Sequence, residues 1–593
     1  MIASDQSSPP ASVRGSSFWP FLTIGCVALL VVLLVALVLR YGIAIPMFDD
    51  WDLMPLLTKA RQGTVRFSDL FAQQQESRTF FPKLIFILLG LGRRWDGRVG
   101  MLLSVFICCL TALGIFELLR KSVFSAMATA LGFIMMALLI FSPAPYELWL
   151  LASGFSSFVP ALCIVWALVA LRTNLSVAIK FWVCAGLAIL SSFTVANGLL
   201  AWALTFPLLF WLQPMPRWKR WLAGWLMACI VCATIYFWRF QPPSELPDFA
   251  PPQSPLVYLQ YLLAFLGSGL GRSGNEHPLV VSIAAGAFLL FGYCGMLAWA
   301  IRRWRDREFW TRAFPWFSLG AYAIASGVLV ALGRIEFGVP QALAPRYVAI
   351  SLYLAIALIA LVTILAERMP GRPNSRARLA RFTAIVFLGA SFVTLVILCG
   401  AGSVSIVHLR SASARLGHGA LLFSQVMDTS DTLRRTNHPL PDLVRQRASA
   451  LDRLQLLRPP LVRTTMISKI RHAEADKSVA DGWFDSFAES AETEMASAKG
   501  WAVLADQGRS ADCVLLAYER EDHEWIAFAI SSSIEMRPDV AQWHHRRDWL
   551  WTGWRAVFRS DAVPKGANIS AWAVDAKQAK VYRLGASVDK LNR

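Results

Sequence analysis

A chain of 593 residues in which 56% of side chains are hydrophobic and 16% charged, with a mean hydropathy of +0.49, is too apolar for a string of soluble domains and reads as a polytopic membrane protein. Its formal net charge of +18 is dispersed as Lys and Arg between apolar segments, without the aromatic-basic clustering of a nucleic-acid groove, so membrane lipids rather than nucleic acid are the expected partners. Nine of the ten cysteines lie in apolar segments as small hydrophobes, and Cys513, alone in the polar tail, has no partner there for an internal disulfide.

In chain order, residues 1–17 are polar and read as a cytoplasmic tail, followed by Phe18 to Gly42, too long for a signal-peptide core and so a retained first span. Further segments able to cross a bilayer are Val99 to Leu119, Phe124 to Phe141, Trp149 to Leu171, Val177 to Val195, Leu199 to Leu212 and Trp221 to Trp238. Leu279 to Ile301, Phe309 to Leu332, Tyr347 to Ala366 and Phe382 to Ala401 bring the expectation to about eleven transmembrane helices within residues 18–401. With the N-terminus inside, Arg120 and Lys121, Arg172 and Lys180, Arg217 to Arg220, Arg302 to Arg307 and Arg368 to Arg381 all become cytoplasmic, as the positive-inside rule requires. The exception is the long first outer loop, 45–98, which holds Arg61, Arg66, Arg78, Lys83, Arg93, Arg94 and Arg98. Phe80 to Gly92 within it is too short to cross and fits an interfacial helix, its bases serving headgroup contact or capture of an anionic lipid-linked substrate.

A second outer segment, Gln241 to Pro278, opens with prolines, continues through Leu256 to Leu266 as a re-entrant or interfacial helix, and enters the glycine-rich run Gly267 to Gly274. With no strand before that run and no Lys-Ser/Thr after it, a flexible loop is expected rather than a phosphate cradle. Residues 402–481 are polar and helix-prone, a connector. From 482 to 593, alternating stretches at Trp501, Cys513 to Tyr518, Trp525 to Ile530, Trp554 to Phe558, Ile569 to Val574 and Lys580 to Leu584 predict a small all-β sandwich, placed outside by an odd number of spans.

The chemistry concentrates at Pro46-Met47-Phe48-Asp49-Asp50-Trp51-Asp52, just past the first span. A carboxylate at that boundary can act as a general base toward an acceptor hydroxyl or hold a divalent cation such as Mg2+ or Mn2+, and Asp49 and Asp50 are candidates for both. The plainer reading is a cap on a helix running from Trp51 to Ala60. Glu76, Arg78, Glu147, Arg334, Glu336, Arg346 and Tyr347 are further boundary groups suited to substrate binding, because a guanidinium matches a phosphate; interfacial anchoring or an Arg334–Glu336 pair is the alternative for them.

A first span, an acidic pair in a long outer loop with interfacial helices, about ten more spans and an extracytoplasmic domain resemble the GT-C glycosyltransferases, with Asp49-Asp50 as the motif that carries the likeness. The resemblance implies transfer of a sugar from a polyprenyl-phosphate-linked donor to an envelope glycan, lipid or protein acceptor on the outer face of the inner membrane. It also gives Asp49 and Asp50 the base or metal-ligand role, with no organic cofactor. Two other readings compete. An envelope-polysaccharide polymerase or ligase would lean on Arg334 and Arg346, and a transporter or flippase would need ionisable groups at mid-span, where the segments have almost none.

Overall fold

The computed structural model describes residues 18–92, 95–212, 217–241, 254–271, 276–368, 375–473, 478–490, 492 and 494–588. The expected N-terminal tail, the prolines between 242 and 252 and Arg272 to Gly274 lie outside the described residues. The chain is mostly helical, with helices α1 (Phe18–Tyr41), α2 (Asp50–Arg61), α3 (Phe67–Phe71), α4 (Phe80–Gly90), α5 (Gly97–Arg120), α6 (Ala126–Ile140), α7 (Tyr146–Trp149) and α8 (Val159–Leu171). There follow α9 (Val177–Ser192), α10 (Ala201–Leu204), α11 (Pro207–Leu212), α12 (Trp218–Phe237), α13 (Pro255–Gly271), α14 (Pro278–Arg302), α15 (Arg307–Arg334) and α16 (Pro345–Arg368). The long α17 (Ser375–Leu422) and the short α18 (Ser430–Thr436) and α19 (Pro441–Arg453) lead to the β region.

Among the described residues eight helical segments are long and apolar enough to cross a membrane, and Phe21, Ile24, Trp182, Met227, Phe288 and Phe291 present large apolar side chains outward from the helical body. Every expected span overlaps a helix, but α6 and α9 have 15 and 16 residues, and the Leu199 to Leu212 stretch breaks into 3-10 and short α pieces. Polar residues start several helices: Asp96 accepts from the Arg98 N–H at 3.0 Å, and Asp306 from the Phe309 N–H at 2.9 Å.

The glycine-rich run is not a loop up to Gly271. It forms the last turns of α13, pressed against α14 so closely that a Cβ on Gly267 would lie 1.9 Å from the Ser282 carbonyl oxygen, and one on Gly286 1.9 Å from that of Leu263. Between two apolar helices there is little hydrophobic gain from association, so small residues that let the backbones touch supply the attraction.

One end of the helical body is tied by buried polar groups. Arg312 donates to the Ser122 carbonyl at 2.6 Å and pairs with Glu367, which accepts from the Phe124 and Ser125 N–H groups at 2.9 and 2.8 Å. Arg172 donates to Ser122 Oγ at 2.7 Å, so one turn after α5 holds α8, α15 and α16 together.

The opposite end carries the β domain and is called the domain face below. At about 1.5 Å per residue the 48-residue α17 is about 72 Å long, more than twice a bilayer's hydrocarbon core, so the last expected span and the first part of the connector are one helix. Its end packs on the domain. Strands β1 (Arg471–Ala473), β10 (Lys580–Val588), β9 (Ile569–Asp575), β5 (Cys513–Glu519) and β6 (Trp525–Ile530) form one sheet in that order. β2 (Ala480–Ser490), β3 (Met495–Leu504), β8 (Gly553–Arg559) and β7 (Ser533–Glu535) form the second, with β4 (Arg509–Ser510) paired to β3 and a short helix α20 (Pro538–Trp543) outside.

The strands thus begin before residue 482, the expected boundary. The two sheets share a core of Phe484, Ala498, Val514, Leu516, Trp554 and Ala571. The other face of the first sheet, with Leu515, Trp572 and Val574, meets Leu416, Leu422 and Phe423 from α17 and the turn after it. Covered on both sides, β5 and β9 are apolar nearly throughout instead of alternating. Gly419 makes the approach possible, since a Cβ there would sit 2.4 Å from Cys513 Sγ.

Candidate active site

The Asp49 turn is built by two distant pieces of chain. Between α1 and α2 the backbone folds so that Phe48 adopts φ +45, an unfavourable conformation for a bulky residue. The strain is held from the connector: the Phe48 N–H donates to the Asn437 carbonyl at 2.9 Å, Trp51 Nε1 donates to Asn437 Oδ1, and Arg447 donates to the Trp51 carbonyl at 2.6 Å and to Asp52 Oδ1 at 2.7 Å. Beneath them Met47, Trp51, Met54 and Leu57 share one apolar cluster with Leu433, Val444, Ala448 and Leu451 of α18 and α19.

This clamp separates the two adjacent aspartates. Asp50 is buried, and its carboxylate accepts from the N–H groups of Ser153 at 2.9 Å, Ala152 at 3.3 Å and Met47 at 3.3 Å. Burial pushes its pKa up to about 6, outweighing the pull of those donors. Its oxygens are thus committed to joining α2 to the 3-10 turn Ala152–Phe158. Asp49 stands at the N-cap position of α2 but makes no side-chain cap bond, so capping does not consume it.

Asp49 is open to solvent yet crowded by protein, as on a concave wall, and that crowding is the first cause of its raised pKa. The negative charge of Asp52 adds to the rise, Arg346 and His438 pull the other way, and Glu76 raises it slightly. Those neighbours come from four parts of the chain. Arg346, at the start of α16, pairs with Glu147 of α7 at 3.4 Å and lies over the Tyr347 ring at 5.1 Å; Arg410 of α17 reaches the other Glu147 oxygen at 3.8 Å. Glu76 pairs with Arg334 at 2.7 Å, so the expected Arg334–Glu336 pair does not form. Glu336 instead has one carboxylate oxygen buried with no hydrogen-bond partner among the described residues. Tyr261, fully buried in α13, lies within electrostatic reach of Tyr347, Arg346 and Arg334.

Asp49, Glu76, Glu147, Arg334, Arg346 and Tyr347 therefore gather on the domain face, while Asp50 and Arg78 are spoken for elsewhere. The Arg78 guanidinium is buried and donates to the carbonyls of Phe71 (2.9 Å), Tyr236 and Trp238, fastening the first loop to the end of α12. Other bases of that loop are also structural. Lys83, buried in α4 and pushed down to about 8 by that burial, donates to the carbonyls of Asp69 and Ala72, and Arg61 donates to that of Gly90 at 3.1 Å.

Beside the turn lies a cavity of about 1190 Å³, with Asp52 at one edge and Phe67, Phe71, Gln75, Arg78, Ile235 and Trp238 among its walls. Ile235 and Trp238, 45% and 63% exposed, belong to the outward side of α12 and its end, so the cavity borders the lipid-facing surface. The pairing of Asp49 with Asp50 does not suit a shared divalent cation, because Asp50's oxygens face backbone N–H groups, and among the described residues no group of three or more His, Cys, Asp or Glu is placed to hold a metal.

Asn437, His438, Arg447 and Tyr261 were not among the residues expected from sequence. His438 accepts the Leu440 N–H through Nδ1 at 3.1 Å. Nothing local marks it, since a single His in a polar connector has no distinctive spacing. Comparisons with protein-family models, with curated proteins and with solved structures find no match to this chain.

Proposed function

We propose that the protein is a membrane glycosyltransferase of the GT-C type, moving a sugar from a polyprenyl-phosphate-linked donor to an envelope acceptor. The observation that carries this reading is the position of Asp49: a carboxylate with a raised pKa, free of capping duty and within electrostatic reach of Arg346, three residues before Asp52, which edges a large cavity bordering the lipid-facing surface. In this reading α6, α9 and the 196–212 segment are additional short crossings, giving about eleven spans in the inner membrane. Arg120 and Lys121, Arg172 and Lys180, Arg217 to Arg220, Arg302 to Arg307 and Arg368 then face the cytoplasm, and the domain face, with Arg334 and Arg346, lies outside.

The prenyl tail enters the cavity between α3 and α12. Asp49 takes the proton of the acceptor hydroxyl as its oxygen bonds to the anomeric carbon; the bond from that carbon to the phosphate oxygen breaks on the opposite side, inverting the centre. Arg346 meets the negative charge that gathers on the departing phosphate, an interaction strengthened as that charge grows. A carboxylate whose pKa burial raises above its ordinary value suits this step, since it holds the transferred proton more readily than a free carboxylate does.

The test is transfer of labelled sugar from a polyprenyl-phosphate donor in membranes containing matched amounts of wild-type protein, Asp49→Asn and Glu76→Gln. A loss of about 10²- to 10⁴-fold is expected for Asp49→Asn, the range of general-base contributions, with a smaller effect for Glu76→Gln. Full activity in Asp49→Asn would sink the assignment.

A further inference from the structure

The β domain meets the helical body beside the exits of two spans. Arg40, in the last turn of α1, pairs with Asp548 at 3.0 Å, and Lys577 lies within electrostatic reach of Arg98 at the start of α5. The Arg40–Asp548 pair places the segment 543–548 at the level of the end of α1. That segment reads Trp543-His544-His545-Arg546-Arg547-Asp548.

Its side chains divide by role. His544 packs inward, 5.7 Å from the Trp501 ring and 4.7 Å from Trp549, and Asp548 is engaged by Arg40. Trp543 is 83% exposed, the most exposed large apolar side chain among the described residues, and His545, Arg546 and Arg547 are exposed beside it. Among the described residues neither Arg546 nor Arg547 is paired with a carboxylate. An indole with an apolar body and a polar N–H is most favourably placed at headgroup depth, and arginines there gain from anionic phosphates.

We propose that the 543–547 turn is a second membrane contact, with Trp543 seated among the lipid headgroups of the bilayer that α1 crosses and Arg546 and Arg547 on anionic headgroup phosphates. The occupant is this bilayer surface and not another protein, because the Arg40–Asp548 pair leaves the turn next to a span and its charge complements anionic lipid. The contact would hold the β domain against the membrane close to where α17 passes the end of α1, and it is independent of which reaction the helical body performs.

Hydrogen exchange of the full-length protein tests this in nanodiscs of phosphatidylcholine alone and of phosphatidylcholine with phosphatidylglycerol. Amides over 539–547 are expected to exchange about thirtyfold more slowly with the anionic lipid, the effect of two basic residues near such a surface, and Arg547→Glu removes at least about fivefold of that protection. Amides of β5 and β9 report that the fold is intact and stay unchanged. Equal exchange in the two nanodiscs overturns the proposal, as does unchanged protection in Arg547→Glu. The wild-type comparison decides by itself if a variant disturbs the domain.

Discussion

The buried Asp50 makes stability depend on pH in an unusual direction, and replacing it with Asn isolates the effect. A carboxyl whose folded pKa is about 6 against an ordinary 3.8 binds its proton more tightly in the folded state, so its contribution is fully present below about pH 4 and is lost as pH rises through 6. The difference of about 2.2 units corresponds to about 3 kcal/mol over the whole titration, of which about 2 kcal/mol falls between pH 4 and pH 7. Because Asp50 is fully enclosed and its charge meets backbone N–H groups and the Ser153 hydroxyl, solvent screening does little to reduce this figure. The assay is the unfolding midpoint of purified protein in detergent at several pH values, wild type against Asp50→Asn, so that groups common to both cancel. The wild type is expected to lose about 2 kcal/mol relative to the variant as pH rises from 4 to 7, despite the variant's turning an amide toward N–H donors at every pH. A constant difference across that range would refute the argument that burial dominates at this carboxyl.

Three other outcomes follow from the geometry. Arg346→Met removes a positive charge that holds Asp49's pKa down, so the limb of the pH–rate profile on which activity rises with base ionisation moves to higher pH; an unmoved limb with reduced rate would mean that Arg346 acts on substrate alone. Asn437→Leu strands the Trp51 indole N–H and costs about 1–3 kcal/mol locally, read as faster proteolysis around residues 47–53 while the β domain stays protected. Gly419→Val forces a Cβ to within 2.4 Å of Cys513 Sγ and costs about 1–3 kcal/mol of overpacking; the check is a lowered unfolding midpoint together with new reactivity of the buried Cys513 thiol toward maleimide.

The lipid-facing plan was readable because a bilayer imposes a simple rule: each crossing needs a long apolar run, and every such run lies on a helix. Six strands of the β domain were readable for a similar reason, whereas β2 was not, since Ala480 to Ser490 mixes Asp, Ser and Glu with too few regular apolar positions. The run Gly267 to Gly271 misled because small residues serve equally in a turn and in a close helix seam, and only α14 opposite them decides which. At the site, the sequence treated Asp49 and Asp50 alike. Their difference comes from Ser153 and Ala152, about a hundred positions away, and from a connector helix nearly four hundred away, distances at which periodicity carries no information.

That long-range clamp also explains why a catalytic turn in the N-terminal part of the chain would need the C-terminal part. A φ of +45 at Phe48 costs about 1–3 kcal/mol and persists only where surrounding structure enforces it. The enforcing groups are Asn437 and the apolar face of α18 and α19, which follow directly from α17 and its seat on the first β-sheet. Strain next to Asp49 keeps α2 starting where it does, with the Asp49 side chain out of the cap and Asp50 turned inward. The β domain and connector act in this arrangement as a brace for the turn, linked to it through α17 seated on β5 and α18 and α19 packed beneath Met47 and Trp51.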